Sequence, residues 1–221
     1  MKSLLDSYMN VKIFEFNPIS ENTYIAYDET KECVIIDPGC FFPDEKVLLL
    51  DFILDNDLVV KHLLNTHLHF DHVFGNNFIY EQFKLETEAN KGDEFLLEEM
   101  PTQLQMFGFK NEGATIPKIG KYLKENDIVK FGKQQFVVLE VPGHSPGSIA
   151  FYNEKAGCVF VGDALFRGSV GRTDLAGGNH QQLIKGIKDK LLTLPKETVV
   201  YSGHGPLTTI GEEIKSNFYL Q

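Results

Sequence analysis

The sequence predicts an α/β (α+β) chain in which two β-sheets pack face to face and helices cover their outer faces. Three observations lead there. Strand-like segments fall in two groups, residues 11–37 and 127–162. Each group is followed by a stretch with helical spacing of its apolar residues, 44–56 and 179–194. The 221 residues suffice for a large buried core, and no low-complexity linker divides them, so 1–221 is expected to form a single domain.

The elements follow in order. VKIFEF from Val11, NTYIAY from Asn22 after the turn-forming Asn17-Pro18, and CVIID from Cys33, closed by Pro38-Gly39, read as strands. Asp44 precedes apolar Val47, Leu48, Leu50 and Leu54, the pattern of an amphipathic helix capped by Asp44 and ending near Asn56. The compact run LVVKHLL, 58–64, is a buried strand. Residues 75–83 predict a helix with Phe78, Ile79 and Phe83 inward, and 85–87 a short strand.

Residues 89–120 are the least regular part: a helix over DEFLLEEM, a break at Pro101, then Met106, Phe107 and Phe109. This stretch reads as an insertion overhanging the functional loops or, equally, as an ordinary pair of core helices. DIVKF, QFVVLEV, SIAFYN and CVFVG are strands, and Asn179 to Leu194 is a helix with Leu183, Ile184, Ile187 and Leu191 on one face. A last strand, TVVYS, leads into Gly203-His204-Gly205.

A net charge of -10 repels phosphate backbones, and no Lys/Arg cluster interrupts it, so nucleic acid is not an expected partner. No run approaches the roughly 18 apolar residues of a membrane helix. The N-terminal MKSLLDSYMNVKIF lacks the apolar core and cleavage site of a secretory signal, which makes the cytoplasm the expected location. Cys33, Cys40 and Cys158 have no paired spacing and read as small buried packers, with Cys40 the one candidate for a reactive thiol because it follows a turn.

Five of the seven histidines fall in three Gly- or Asp-containing turns: His67, His69 and His72 in THLHFDH, His144 in PGHSPGS, and His204 in SGHGP. In an extended segment alternate residues point the same way, so His67, His69 and Asp71 are expected to project together and His72 differently, letting one loop serve two ions. Imidazole suits zinc, iron and similar borderline metals, and a carboxylate adds compensating charge and can bridge. Asp163, at the end of CVFVG, is placed for that bridging role. Seven such side chains exceed the four that saturate a structural zinc, which argues against a purely structural metal. His62 and His180 lie apart and read as structural or surface residues.

Together THLHFDH, PGHSPGS, GDALF and SGHGP resemble the metallo-β-lactamase superfamily, in particular its glyoxalase II-like branch, and the similarity runs from ENTYIAYD and VIIDPG to TTIG at 208–211. The resemblance implies a four-layer αββα sandwich of two mixed sheets. It implies that His67, His69 and His144 hold one divalent metal, that Asp71, His72 and His204 hold the other, and that Asp163 bridges them, so that Asp71 and Asp163 are also the catalytic carboxylates. Zinc is the expected ion, with iron or manganese as alternatives. Two ions ~3.5–4 Å apart generate a bridging hydroxide near neutral pH, and a thioester is a convenient substrate because thiols leave readily at a pKa of about 8.5.

The expected partner is therefore a small molecule, anionic if the glutathione thioesters of that branch are its model. Arg172, nine positions beyond Asp163, matches a basic residue that contacts a glutathione carboxylate there, and Arg167 is a second substrate-binding candidate. Two positions on, Asp174 stands where that branch has a tyrosine. GRTD also resembles the persulfide dioxygenases of the superfamily, which would use a single iron on His67, His144 and Asp163. Flavin-partnered diiron relatives resemble H-x-E-x-D-H, and His69 occupies the Glu position.

Overall fold

The computed structural model describes residues 8–109 and 116–221. The first half of the N-terminal stretch MKSLLDSYMNVKIF, and 110–115 of the irregular region, lie outside the described residues. Strands β1 (Asn10–Phe16), β2 (Glu21–Tyr27) and β3 (Glu32–Ile36) form an antiparallel meander. Helix α1 (Pro43–Asp55) returns the chain so that β4 (Val59–Leu64) lies parallel to β3. Two short helices, α2 (Phe70–Val73) and α3 (Asn76–Phe83), then β5 (Thr87–Ala89), α4 (Glu94–Met106) and β6 (Ile119–Tyr122) complete a mixed sheet ordered β1-β2-β3-β4-β5-β6.

The second sheet begins with β7 (Ile128–Phe131), β8 (Gln134–Glu140), β9 (Ile149–Asn153) and β10 (Cys158–Gly162). A small hairpin, β11 (Leu165–Phe166) with β12 (Ser169–Val170), and helix α5 (His180–Gly186) lead to β13 (Val199–Ser202), β14 (Thr208–Thr209) and α6 (Ile210–Ser216). The sheet order is β14-β13-β10-β9-β8-β7, with β13 parallel to β10 and the other pairs antiparallel.

Strand periodicity explains the layering. Along β2 and β3, Tyr24, Ala26, Val34 and Ile36 face the second sheet, while Ile25, Cys33 and Ile35 face Leu49 and Ile53 of α1 and Ile79 of α3. Along β9 and β10, Ile149, Phe151 and Phe160 fill the space between the sheets, while Ala150, Val159 and Val161 pack under Leu183 and Ile187. The result is helix, sheet, sheet, helix, the αββα sandwich. Burying a side chain such as Phe160 in the middle contributes about 1.5–3 kcal/mol.

Four local expectations are corrected. Asp44 does not cap α1: the helix starts at Pro43, and Glu45 accepts hydrogen bonds from the backbone N–H of Phe41 (2.7 Å) and Phe42 (2.9 Å). Pro101 does not stop α4, because Leu97, Met100 and Leu104 bury one continuous face against Leu68, Phe70 and Val73, and that burial outweighs the missing N–H. The helix from 179 changes at Gly186 into a π turn, Ile187–Leu191; the wider turn keeps Leu183, Ile187 and Leu191, each four apart, in line over the sheet. The short strand expected at 85–87 begins at Thr87.

All three cysteines are buried and free, and burial pushes each thiol up to about 12, so Cys40 is a packer like the others. Among the described residues no helix is long and apolar enough to cross a membrane.

Candidate metal centre

The histidine and aspartate turns all leave the carboxyl ends of strands along one edge of the sandwich: 65–72 after β4, 141–148 after β8, Asp163 after β10, and 203–205 after β13. Alternation of an extended segment does not govern the whole of THLHFDH. It holds through His69, and then α2 begins, so Asp71 and His72 are aimed by a helical turn. Tight backbone makes the convergence possible. Gly162 has φ +51°, and a Cβ there would stand 2.1 Å from Thr66 Oγ1; a Cβ on Gly203 would stand 2.2 Å from Asp163 Oδ1.

Six of the seven side chains meet in two groups of three, and the seventh, Asp163, lies between them. Ligand-type atoms of His67, His69 and His144 lie within 4.8 Å of one another, as do those of Asp71, His72 and His204. His69 Nδ1 and His144 Nε2 are 2.9 Å apart, near the ~3.3 Å between two ligand atoms on one tetrahedral ion. In the second group Asp71 Oδ2 is 3.4 Å from His72 Nε2 and 3.2 Å from His204 Nε2. Asp163 stands between the groups, 3.5 Å from His72 Nε2, 3.7 Å from His204 Nε2 and 3.7 Å from His144 Nε2.

Outer hydrogen bonds determine which nitrogen each imidazole presents. His72 Nδ1–H donates to Asp37 Oδ2 (3.1 Å), and His144 Nδ1–H donates to the Arg172 carbonyl (2.8 Å). His204 Nδ1–H faces the carbonyls of Ile19 (3.1 Å) and Ser20 (3.0 Å). The Thr66 hydroxyl proton is committed to Asp37 Oδ2 at 2.5 Å, so the 3.1 Å contact from His67 Nδ1 to Thr66 Oγ1 has His67 as donor. In each case the Nε2 lone pair is left pointing inward, which is how outer-shell partners prepare imidazole for a metal.

That is also the test of fit. Among the described residues, Nε2 of His67 and His72 and Oδ1 of Asp163 are buried with no hydrogen-bond partner. Such an atom ordinarily costs about 1–3 kcal/mol, and here the orphans share one place and one donor chemistry, that of a borderline divalent ion.

Electrostatics differ between the groups. Burial drives His67 well below the usual imidazole value and His69 to about 3, so both are neutral donors. Burial also pulls His72 and His204 down, but the carboxylates of Asp71 and Asp163 outweigh it and hold both above the usual value. Asp71 and Asp163 in turn, despite burial, are held below the usual carboxylate range by the facing imidazoles.

Three residues behind the centre carried no functional expectation. Asp37 accepts from Thr66 N (2.7 Å) as well as from Thr66 Oγ1 and His72. Glu21, fully buried, receives the Thr23 hydroxyl (2.8 Å) and stands 3.9 Å from His72 Nδ1; burial holds its carboxyl well above the usual range. Asp93, also fully buried, accepts from Leu68 N (3.2 Å), Ser145 Oγ (2.6 Å) and Gly147 N (2.5 Å). Only Asp37 had a sequence signal, a carboxylate ending a buried strand before Pro38-Gly39.

The centre opens into a cleft of about 430 Å³. His69, Asp71, His144, Asp163 and His204 reach it from the centre, and α4 overhangs it with Leu96, Glu99 and Met106, so the 89–120 stretch supplies both a core helix and a wall of the cleft. Arg172 lines the mouth, with its guanidinium bound to Asp174 through Nε (2.7 Å) and Nη2 (2.8 Å). Arg167, the other arginine expected to meet substrate, is exposed in the turn of the β11–β12 hairpin and does not line the cleft.

An αββα sandwich with a His/Asp cluster at one edge is the architecture of a metal-binding superfamily, and sequence comparison identifies which. Residues 17–204 match the family model of the metallo-beta-lactamase superfamily, and the chain belongs to it. It is 38% identical over 213 residues to the hydroxyacylglutathione hydrolase GloC of Haemophilus influenzae, covering 96% of this chain and 98% of that protein. Among solved structures it is similar to the BLEG-1 B3 metallo-beta-lactamase, with TM-score 0.86 and 36% identity over 96% of this chain and 100% of that one. It is also similar to TTHA1623 in a di-iron-bound form, with TM-score 0.81 and 38% identity over 95% of this chain and all of the other.

Proposed function

We propose that this chain is a dinuclear metal-dependent hydrolase of small thioesters or esters, acting in the manner of the hydroxyacylglutathione hydrolase it resembles. The observation that carries the proposal is the position of Asp163, within 3.7 Å of imidazole nitrogens from both ligand groups. His67, His69 and His144 would hold one ion, Asp71, His72 and His204 the other, and Asp163 both. The donors suit zinc, with iron or manganese as alternatives. When bound, the pair supplies an activated water near neutral pH and polarises the acyl carbonyl.

The protein's own contribution is arrangement. Asp37, Thr66 and the Arg172 carbonyl fix the imidazoles so that their inward nitrogens need no reorganisation. Helix α4 supplies, through Leu96 and Met106, an apolar side of the cleft against which an acyl group would pack. In the net reaction the C–S bond breaks, the water oxygen joins the acyl carbon, and sulfur leaves with the bonding pair and takes up a water-derived proton.

Elemental analysis of protein purified without added metal, with thiol release from acyl thioesters including S-lactoylglutathione, tests the proposal. The expected result is two ions per chain, with turnover lost on chelation and restored by metal. A single iron with oxygen uptake on glutathione persulfide would replace this reading with the dioxygenase.

A further inference from the structure

The cleft has a charge balance at odds with an anionic substrate. Among the described residues lining it, Arg172 is the only lysine or arginine, and Asp174 occupies its guanidinium on two nitrogens. Glu99, on the overhanging face of α4, adds a second carboxylate to the mouth. Apart from the metal-centre side chains, the rest of the wall is mostly apolar, with Thr102 and Gln103 its uncharged polar members: Phe70 and Leu96 deeper in, Ile19, Met106, Phe107 and Leu175 toward solvent. Met106 is 73% exposed and Phe107, whose ring packs on Phe70, is 41% exposed, a large apolar exposure at the cleft mouth.

We infer that the preferred substrate is a thioester whose thiol limb is uncharged and apolar, and that Asp174 enforces this by withholding Arg172 from any substrate carboxylate. This rests on the hydrolase reading above. With the carbonyl at the metal centre, the thiol limb crosses the mouth between Met106 and Leu175. There an alkyl or aryl limb removes apolar surface from water, at about 25 cal/mol per Å². A glutathionyl limb instead brings carboxylates against Glu99 and Asp174, with no second cation among the described residues that line the cleft to meet them. The Arg172 hydrogen bond holds Asp174 at about 2, so the pair stays charged across the working pH range. It is a specificity device, and because it is exposed it can be removed without disturbing the core.

The test compares two thioesters of the same acyl group, S-lactoylglutathione and the lactoyl thioester of butanethiol, using the metal-loaded full chain. The wild type is expected to favour the butanethiol ester in kcat/KM by at least about tenfold, equivalent to ~1.4 kcal/mol. Asp174→Ala, by freeing Arg172, is expected to raise kcat/KM for S-lactoylglutathione by about tenfold at low salt, a gain that shrinks as salt screens it. Met106→Glu should lower kcat/KM for the butanethiol ester. A wild type that favours S-lactoylglutathione, or an Asp174→Ala variant whose preference does not move, overturns the inference and leaves the hydrolase intact. Failure to cleave either thioester, in protein shown to carry its ions, overturns the hydrolase reading itself.

Discussion

The buried carboxylate of Asp93 accepts a 2.6 Å hydrogen bond from the hydroxyl of Ser145, the residue next to His144. The same carboxylate accepts from Leu68 N, between His67 and His69, and from Gly147 N. One acid thus fastens together the two loops that supply the first ligand group. Asp93→Ala leaves two buried N–H groups unpaired and should destabilise the fold by about 3 kcal/mol, read by urea unfolding. Asp93→Asn should not rescue it, since an amide offers one acceptor oxygen where three donors converge. Equilibrium dialysis should show the ion at His67, His69 and His144 bound about 10–100-fold more weakly.

Removing the shared carboxylate should separate catalysis from folding. Asp163→Ala is expected to lower kcat by about 10³-fold or more while far-UV circular dichroism stays unchanged. Full activity in that variant would refute the bridging role.

Gly203→Ala tests the centre without changing a ligand. A methyl placed 2.2 Å from Asp163 Oδ1 and 2.7 Å from His72 Cε1 must displace one of them. Metal affinity should fall by about 10-fold or more, comparable to loss of an outer-shell partner, and metal titration of the purified variant checks it.

The two groups should part company as pH falls. Metal-binding imidazoles must give up their proton. Burial already keeps His67 and His69 deprotonated, whereas Asp71 and Asp163 raise His72 and His204 so that they take up protons at higher pH. Acidification therefore empties the Asp71, His72, His204 group first. Of two one-site variants dialysed at stepped pH, His204→Asn should keep its remaining ion to lower pH than His67→Asn; the reverse order would contradict the assignment.

What the sequence revealed of this centre is what is local. THLHFDH concentrates four ligand-type residues in a short stretch, and the other three follow strands whose apolar runs are readable by themselves, so both the sandwich and the candidate ligands were legible. Asp93 and Glu21 were not, because their roles exist only through contacts with residues distant in the chain, such as Ser145 and His72. Pro101 misled for a related reason: its local penalty is real, and the burial of Leu97, Met100 and Leu104 that outweighs it is a property of the packed fold. Arg172 was identified by position, but its engagement by Asp174 depends on side-chain orientation.

His204 is held by a bridge to Glu21, by Asn22 N bonding the Gly203 carbonyl at 2.7 Å, and by Asn22 Nδ2 bonding the carbonyl of Gly205 at 2.9 Å. Strand β2 therefore depends on a ligand far along the chain. A chain part-way through translation, past His144 but short of His204, already owns every imidazole of one group and lacks a member of the other. The second ligand group is therefore closed only by contacts between segments 183 positions apart in the chain.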